Sequence, residues 1–177
     1  FNGNKIVTTG GGGAILTNDD KLADQAKHLT TTAKLPHRWE FNHDQIGYNY
    51  RMPNINAAMG CAQLERLSYF VEQKRELAQR YCKEFQMLSS VSIFQEPEFV
   101  RSNYWLNAML LAPEHRSSRD LLLETLHEKK LQVRPVWTLM YRLPIYSQCP
   151  RMECLVAEDL SDRLINLPSS ACLAEQG

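Results

Sequence analysis

The sequence predicts a mixed α/β protein, and two observations carry that expectation. Short β-branched or apolar runs bounded by Gly, Pro, Asn and Ser read as strands, Val91-Ser-Ile-Phe94 and Gln132 to Trp137 among them. Around them, apolar residues recur at intervals of three and four, the spacing of helices with one buried face. The chain has 177 residues, 44% of them hydrophobic, enough for one ordinary domain or two small ones.

The first thirteen residues are the most informative stretch. Asn2-Gly3-Asn4 predicts a tight turn, because Asn and Gly tolerate positive φ, and that turn presents Lys5 at a fixed point. Ile6 to Thr9 reads as a short extended segment. The run Gly10 to Gly13 then bends the chain back into Ala14 to Thr17 or admits a close backbone approach. A lysine on a rigid turn beside packed strands suits Schiff-base chemistry: its amine must be unprotonated to attack a carbonyl, and partial burial or a nearby cation lowers its pKa. The competing reading is a solvated surface lysine, the commoner state of long cationic side chains. The glycine run lacks the Walker spacing and its Lys-Ser/Thr, and it precedes its strand, which argues against a nucleotide loop.

Asn18 is the expected cap of a first helix, with Asp19 and Asp20 complementing its positive end and Leu22, Ala23, Ala26 and Leu29 forming one apolar stripe. Residues 30–53 are irregular and rich in aromatics, hydroxyls and charge. Trp39, Phe41, Tyr48 and Tyr50 argue against disorder, leaving a functional loop or one pinned to the surface by its aromatics. Pro53 marks the start of a long helix from Asn54. Its stripe runs through Leu64, Leu67, Val71, Ala78, Tyr81, Phe85 and Leu88 and is broken at Lys74, which is assigned to the wet face. The stripe suits a helix laid on a core; a coiled-coil dimer is the alternative.

Strands are expected at Val91–Phe94, Tyr104–Leu111 and Gln132–Trp137, the last at an edge or strand end because of Pro135. A helix is expected from Ser117-Ser118 to about Lys130, another from Glu153 to Leu164, a turn at Leu143–Tyr146, and a last extended piece at Ile165–Pro168.

Composition narrows the function. Twenty basic and twenty acidic residues cancel, so no electrostatic footprint for nucleic acid or an anionic membrane is visible. The apolar runs are too short to span a bilayer, and no signal peptide opens the chain. Five cysteines without paired metal spacing read as reduced thiols in a cytoplasmic protein, and no metal site is expected.

Two motifs bring a resemblance. Phe1-Asn-Gly-Asn-Lys5-Ile-Val-Thr-Thr-Gly-Gly-Gly-Gly13-Ala-Ile resembles the lysine segment of the DegT/DnrJ/EryC1/StrS family of pyridoxal-phosphate-dependent sugar aminotransferases. Gly47-Tyr-Asn49-Tyr-Arg51-Met-Pro, followed by Ala57-Ala58 and Gln63-Leu64, resembles a second segment of the same family. The wider run Thr30-Thr-Thr-Ala-Lys34 to Gly47 looks like the subgroup acting on UDP-linked 4-keto sugars of the legionaminic acid and bacillosamine type. Arg134-Pro-Val-Trp137 and the segments after it resemble the family's small domain, except that Tyr141 stands where members often have histidine.

The resemblance implies the C-terminal part of a fold-type I aminotransferase. Residues 1–53 would end the large cofactor-binding domain, 54–90 form a linking helix, and 91–177 a small α/β domain. It implies Lys5 as the catalytic and cofactor-bearing lysine, Asn49 and Arg51 as donors to the cofactor phosphate of a neighbouring subunit in a homodimer, and Arg134 and Tyr141 as substrate contacts. The implied cofactor is pyridoxal 5'-phosphate. The implied reaction moves an amino group from L-glutamate to C4 of a nucleotide-linked 4-keto-6-deoxy sugar, as in polysaccharide biosynthesis. The carboxylate for the pyridine nitrogen, the ring-stacking aromatic and most phosphate donors lie upstream of the lysine in the family. This polypeptide alone is therefore expected to bind cofactor weakly and to lack useful transaminase activity. The alternative is a non-catalytic remnant or a dimerisation module of that fold.

Overall fold

A computed structural model describes residues 1–175. The chain divides into two compact units, residues 1–67 and 68–177.

The first unit holds α1 (Asp20–Thr30) and α2 (Asn54–Glu65) joined by the long loop. The cap of α1 is Asp19, one residue later than expected. Its Oδ1 accepts from the backbone N–H of Lys21 at 2.9 Å and of Leu22 at 3.1 Å, satisfying two of the first-turn donors. The apolar stripe forms as predicted but stays uncovered: α1 buries no residue, and Leu22 is 55% exposed. The extended segments expected at residues 6–9 and 14–17 form no strand. A strand needs a neighbour to take its backbone groups, and no described residue of this unit supplies one.

Residues 31–53 are irregular, as expected, but backbone pairing orders them, not aromatic burial. Tyr48 and Tyr50 donate their N–H groups to the Leu29 and Thr30 carbonyls at 2.7 and 2.9 Å, satisfying acceptors at the end of α1. Thr32 donates back to Tyr48 O at 3.0 Å. Thr32 and Ala33 are left-handed, at φ 72° and 49°, and the Ala33 side chain is fully buried. Gly47 lies against them so tightly that an added Cβ would fall 2.5 Å from Ala33 N and Thr32 C. Trp39, Phe41 and Tyr50 are exposed, which corrects the idea of aromatics as anchors.

The stripe from Asn54 predicts one helix; the structure has two, α2 and α3 (Leu67–Phe85), separated at Arg66. The second unit continues with β1 (Val91–Ile93), β2 (Asn107–Leu111), a 3-10 segment at Pro113–Ser118, α4 (Arg119–Glu128), β3 (Arg134–Pro135), α5 (Leu155–Arg163) and β4 (Leu164–Leu167). The sheet is antiparallel throughout, in the order β1-β2-β4-β3. Pro135 sits on an edge strand, where its missing N–H is tolerated. The sequence places 165–168 as a trailing piece; it is a central strand, Ile165 pairing with Met109 on one side and Pro135 on the other.

The core of this unit is Met109, Leu111, Val133, Ile165 and Leu167, flanked by Tyr81 and Phe85 of α3 and Leu122, Leu123 and Leu126 of α4. A fully buried aliphatic of this kind stabilises by about 1.5–3 kcal/mol relative to exposure. The buried face of α3 is Lys74, Leu77 and Ala78, so the apparent break in the stripe is an inward position. Lys74 is only 7% exposed, contrary to its assignment to the wet face.

Candidate active site

In the first unit the Lys5 segment folds as a hydrogen-bonded turn. Lys5 N–H donates to Asn2 O at 3.0 Å, and Asn2 Oδ1 accepts from Gly3 N–H at 2.8 Å. Thr9 N–H closes the segment on Phe1 O at 3.2 Å. Val7 and Thr9 are buried while Lys5 is exposed. The turn is moored to α2: Asn56 Nδ2 donates to Thr9 O, and Gln63 Oε1 accepts from Thr8 N–H at 3.4 Å. Gly10 and Gly12 take φ of 78° and 108°, a left-handed backbone that favours glycine.

Asn49 and Arg51 are brought together at the end of the loop. Arg51 Nη1 donates to Asn49 Oδ1 at 3.3 Å and Nη2 to Thr31 O at 3.1 Å; both residues are exposed. The glycine run, Thr30, Tyr50, Arg51 and Asn56 line a hollow of about 630 Å³. Arg51 therefore faces the same space as the glycine backbone, while Lys5 is not among its lining residues. Nearby, a 2.6 Å contact to His28 Nε2 holds the Asp44 carboxyl below its ordinary range.

In the second unit Arg134 is exposed on β3 and makes no ion pair among the described residues. Tyr141 is engaged: its hydroxyl donates to Glu158 Oε1 at 2.6 Å, and the Arg151 guanidinium lies 4.3 Å from its ring centre. Partial burial and the Glu158 carboxylate push the Tyr141 hydroxyl upward, and Tyr141 with Arg151 holds Glu158 low.

Several features of this unit escape sequence reading. Lys74 Nζ donates to the Trp105 carbonyl at 3.2 Å and to the Ser169 carbonyl. Ser169 Oγ accepts from Asn107 N–H at 2.8 Å, and Asn107 Oδ1 is buried without a hydrogen-bond partner among the described residues. The one available signal was the lysine interrupting an apolar stripe at the helical phase. The Trp105 and Trp137 rings stack at 5.9 Å and 24°.

A profile of the DegT/DnrJ/EryC1/StrS aminotransferase family matches residues 1–176. The chain belongs to this family. It is 40% identical over 176 residues to a GDP-perosamine synthase of Escherichia coli O157:H7, covering 99% of this chain and 47% of that protein. It is 29% identical over 145 residues to a UDP-4-amino-4,6-dideoxy-N-acetyl-beta-L-altrosamine transaminase of Campylobacter jejuni, covering 81% and 39%. Among solved structures, PseC of Helicobacter pylori, an aminotransferase of pseudoaminic acid biosynthesis, superposes with a TM-score of 0.80 at 24% identity, covering 88% of this chain and 42% of that one. The chain thus spans less than half the length of these relatives, and its mixed α/β fold is part of the aminotransferase fold.

Enzymes of the family use pyridoxal phosphate. The residues present fit part of that group. Lys5, an exposed residue on a hydrogen-bonded turn, carries an amine, and Arg51 and Asn49 offer the cation and amide donors that a phosphate takes. Among the described residues, no helix is long and apolar enough to cross a membrane.

Proposed function

We propose that this chain is the C-terminal part of a pyridoxal-phosphate-dependent aminotransferase that moves an amino group from L-glutamate to C4 of a nucleotide-linked 4-keto-6-deoxy sugar. The observation that carries the reading is the family match across the Lys5 turn and the Asn49–Arg51 loop. The 40% identity to an enzyme named for GDP-perosamine supports a nucleotide-linked sugar as substrate.

When bound, the cofactor supplies an aldehyde carbon for the donor's nitrogen and a ring that accommodates the electron pair left at the donor's Cα. Lys5 is the residue whose Nζ would hold that aldehyde carbon, and the same nitrogen would serve as general base and general acid for the donor's Cα proton. Arg51, with Asn49 set by its guanidinium, binds phosphate oxygens, and in a homodimer the loop carries these donors to the neighbouring subunit. Arg134 meets the substrate as an exposed cation. Tyr141, whose hydroxyl donates to Glu158, can join it by accepting a hydrogen bond from the substrate. The domain limits proposed for this assignment are 1–53, 54–90 and 91–177, and a cytoplasmic location accompanies the reading.

The test is chemical trapping. Incubation with pyridoxal phosphate and borohydride, followed by peptide mapping, is expected to place the reduced adduct selectively on Lys5, below one per chain. An even spread over the exposed lysines would remove Lys5 from the assignment. Stoichiometric labelling at Lys5 with turnover on a nucleotide-linked 4-keto sugar would refute the expectation that this chain alone is inactive.

A further inference from the structure

The second unit presents a pair of tryptophans that is built rather than incidental. Trp137 follows the edge strand β3 and is 63% exposed, yet one ring face lies on Trp105 at 5.9 Å and 24°, within the offset-stacked range. The inner ring is held from its backbone. Lys74, buried on α3, donates to the Trp105 carbonyl, and Trp105 N–H donates to Asn103 Oδ1 at 3.0 Å.

The residue before it is in a left-handed conformation, Tyr104 at φ 44°, which a bulky side chain adopts only when its surroundings over-determine it. Those surroundings are identifiable. Tyr104 N–H donates to Ser102 Oγ at 3.0 Å, and the Tyr104 hydroxyl accepts from Glu96 N–H at 3.2 Å. Arg75 grips Glu96 with two nitrogens and donates to Ser102 O at 2.7 Å, and its guanidinium lies 5.5 Å from the Tyr104 ring centre. Strain, an ion pair and a buried amine thus converge on placing one indole beneath another. The described residues leave Trp137 63% exposed.

We propose that the outer face of Trp137 is the stacking platform for the nucleobase of the sugar-nucleotide substrate. Arg134, three residues earlier at the sheet edge, supplies a cation for the diphosphate. The inference rests on the proposed substrate class and adds the residue that recognises its base. A flat π-system continues an offset indole stack in a way that a puckered sugar cannot. Base stacking on an aromatic ring is sequence-tolerant and strong enough to matter, and an exposed guanidinium takes phosphate oxygens in pairs. Trp105, Lys74 and Tyr104 are positioning residues for the platform.

The test uses the full chain carrying Trp39→Phe, so that tryptophan emission comes from the stacked pair, titrated with GDP and with UDP. Saturable quenching by either nucleotide is expected, with inorganic pyrophosphate binding far more weakly. Calorimetry on the Trp137→Ala variant is expected to show binding weakened by roughly tenfold or more, and Trp137→Phe to retain most of it. Trp137→Ala loses the stacking contact, so its melt is expected to fall by a few degrees with the fold retained, and Trp137→Phe to keep most of it. Binding undiminished in Trp137→Ala, or pyrophosphate as tight as GDP, overturns the platform and leaves the substrate class standing. A parent chain that binds neither nucleotide overturns the platform, and the substrate class is tested separately by turnover.

Discussion

Replacing Lys74 with methionine isolates the amine from its stem. Lys74 lies on the buried face of α3 and is 7% exposed, with Nζ donating to the carbonyls of Trp105 and Ser169. Hydrogen bonds from a charged donor contribute about 1.5–3 kcal/mol each, so the two together supply ~3–6 kcal/mol. Dehydrating the ammonium offsets much of that. Methionine keeps the aliphatic packing and removes the dehydration cost, but two inward carbonyls lose a donor, at about 1–3 kcal/mol each. The expected net loss is ~2–4 kcal/mol. For a unit of this size that lowers the melting temperature by at least about 8 °C, read by near-UV circular dichroism.

The pH dependence gives a second readout. Burial pushes the Lys74 amine below its ordinary value of 10.5. Between the folded and unfolded pKa values the unfolded chain holds more protons, so this group makes stability rise as pH climbs toward 10.5. Lys74→Met is expected to remove that slope. A melting shift under about 2 °C, with the alkaline slope intact, would refute the view that this amine holds the two segments together.

Three further outcomes are expected. Glu96 is held down to about 2, chiefly by its hydrogen bond with Arg75 and then by Ser102 N–H; its contribution is present above the unfolded value near 4.5 and lost as pH falls through about 2. Acid unfolding of Glu96→Gln should be correspondingly flatter over that window. Gly47→Ala forces a methyl to within 2.5 Å of two backbone atoms, so it should cost about 1–3 kcal/mol and speed amide exchange at residues 31–50; exchange rates matching the parent would count against the packing described. Lys5→Ala removes the amine, so the selective borohydride adduct should disappear; an adduct of unchanged yield would place the cofactor lysine elsewhere.

Much of the local structure was legible because its determinants sit within a few residues of one another. The Asn2–Lys5 turn forms where Asn and Gly cluster, although none of Asn2, Gly3 and Asn4 takes the positive φ expected of them, and the edge position of Pro135 follows from its missing N–H. The lysine and loop motifs led to the aminotransferase family before any coordinate. The misreadings share a cause. A cap moved from Asn18 to Asp19 because adjacent residues can both cap and only backbone geometry chooses. Ile6–Thr9 has strand composition but no strand beside it. Asn49 and Arg51 were legible as phosphate donors, whereas the glycine hollow that Arg51 lines depends on the chain folding back.

The sequence by itself determined where most helices lie, the strand segments of the second unit and the family the chain belongs to, because periodicity, turn residues and motif spacing are local properties. Only the tertiary structure decided that the last strand is central and that Trp137 rests on Trp105. It also decided that Lys74 points inward. The acceptors that make a buried lysine tolerable lie 31 and 95 residues away along the chain, and no local pattern records so distant a carbonyl.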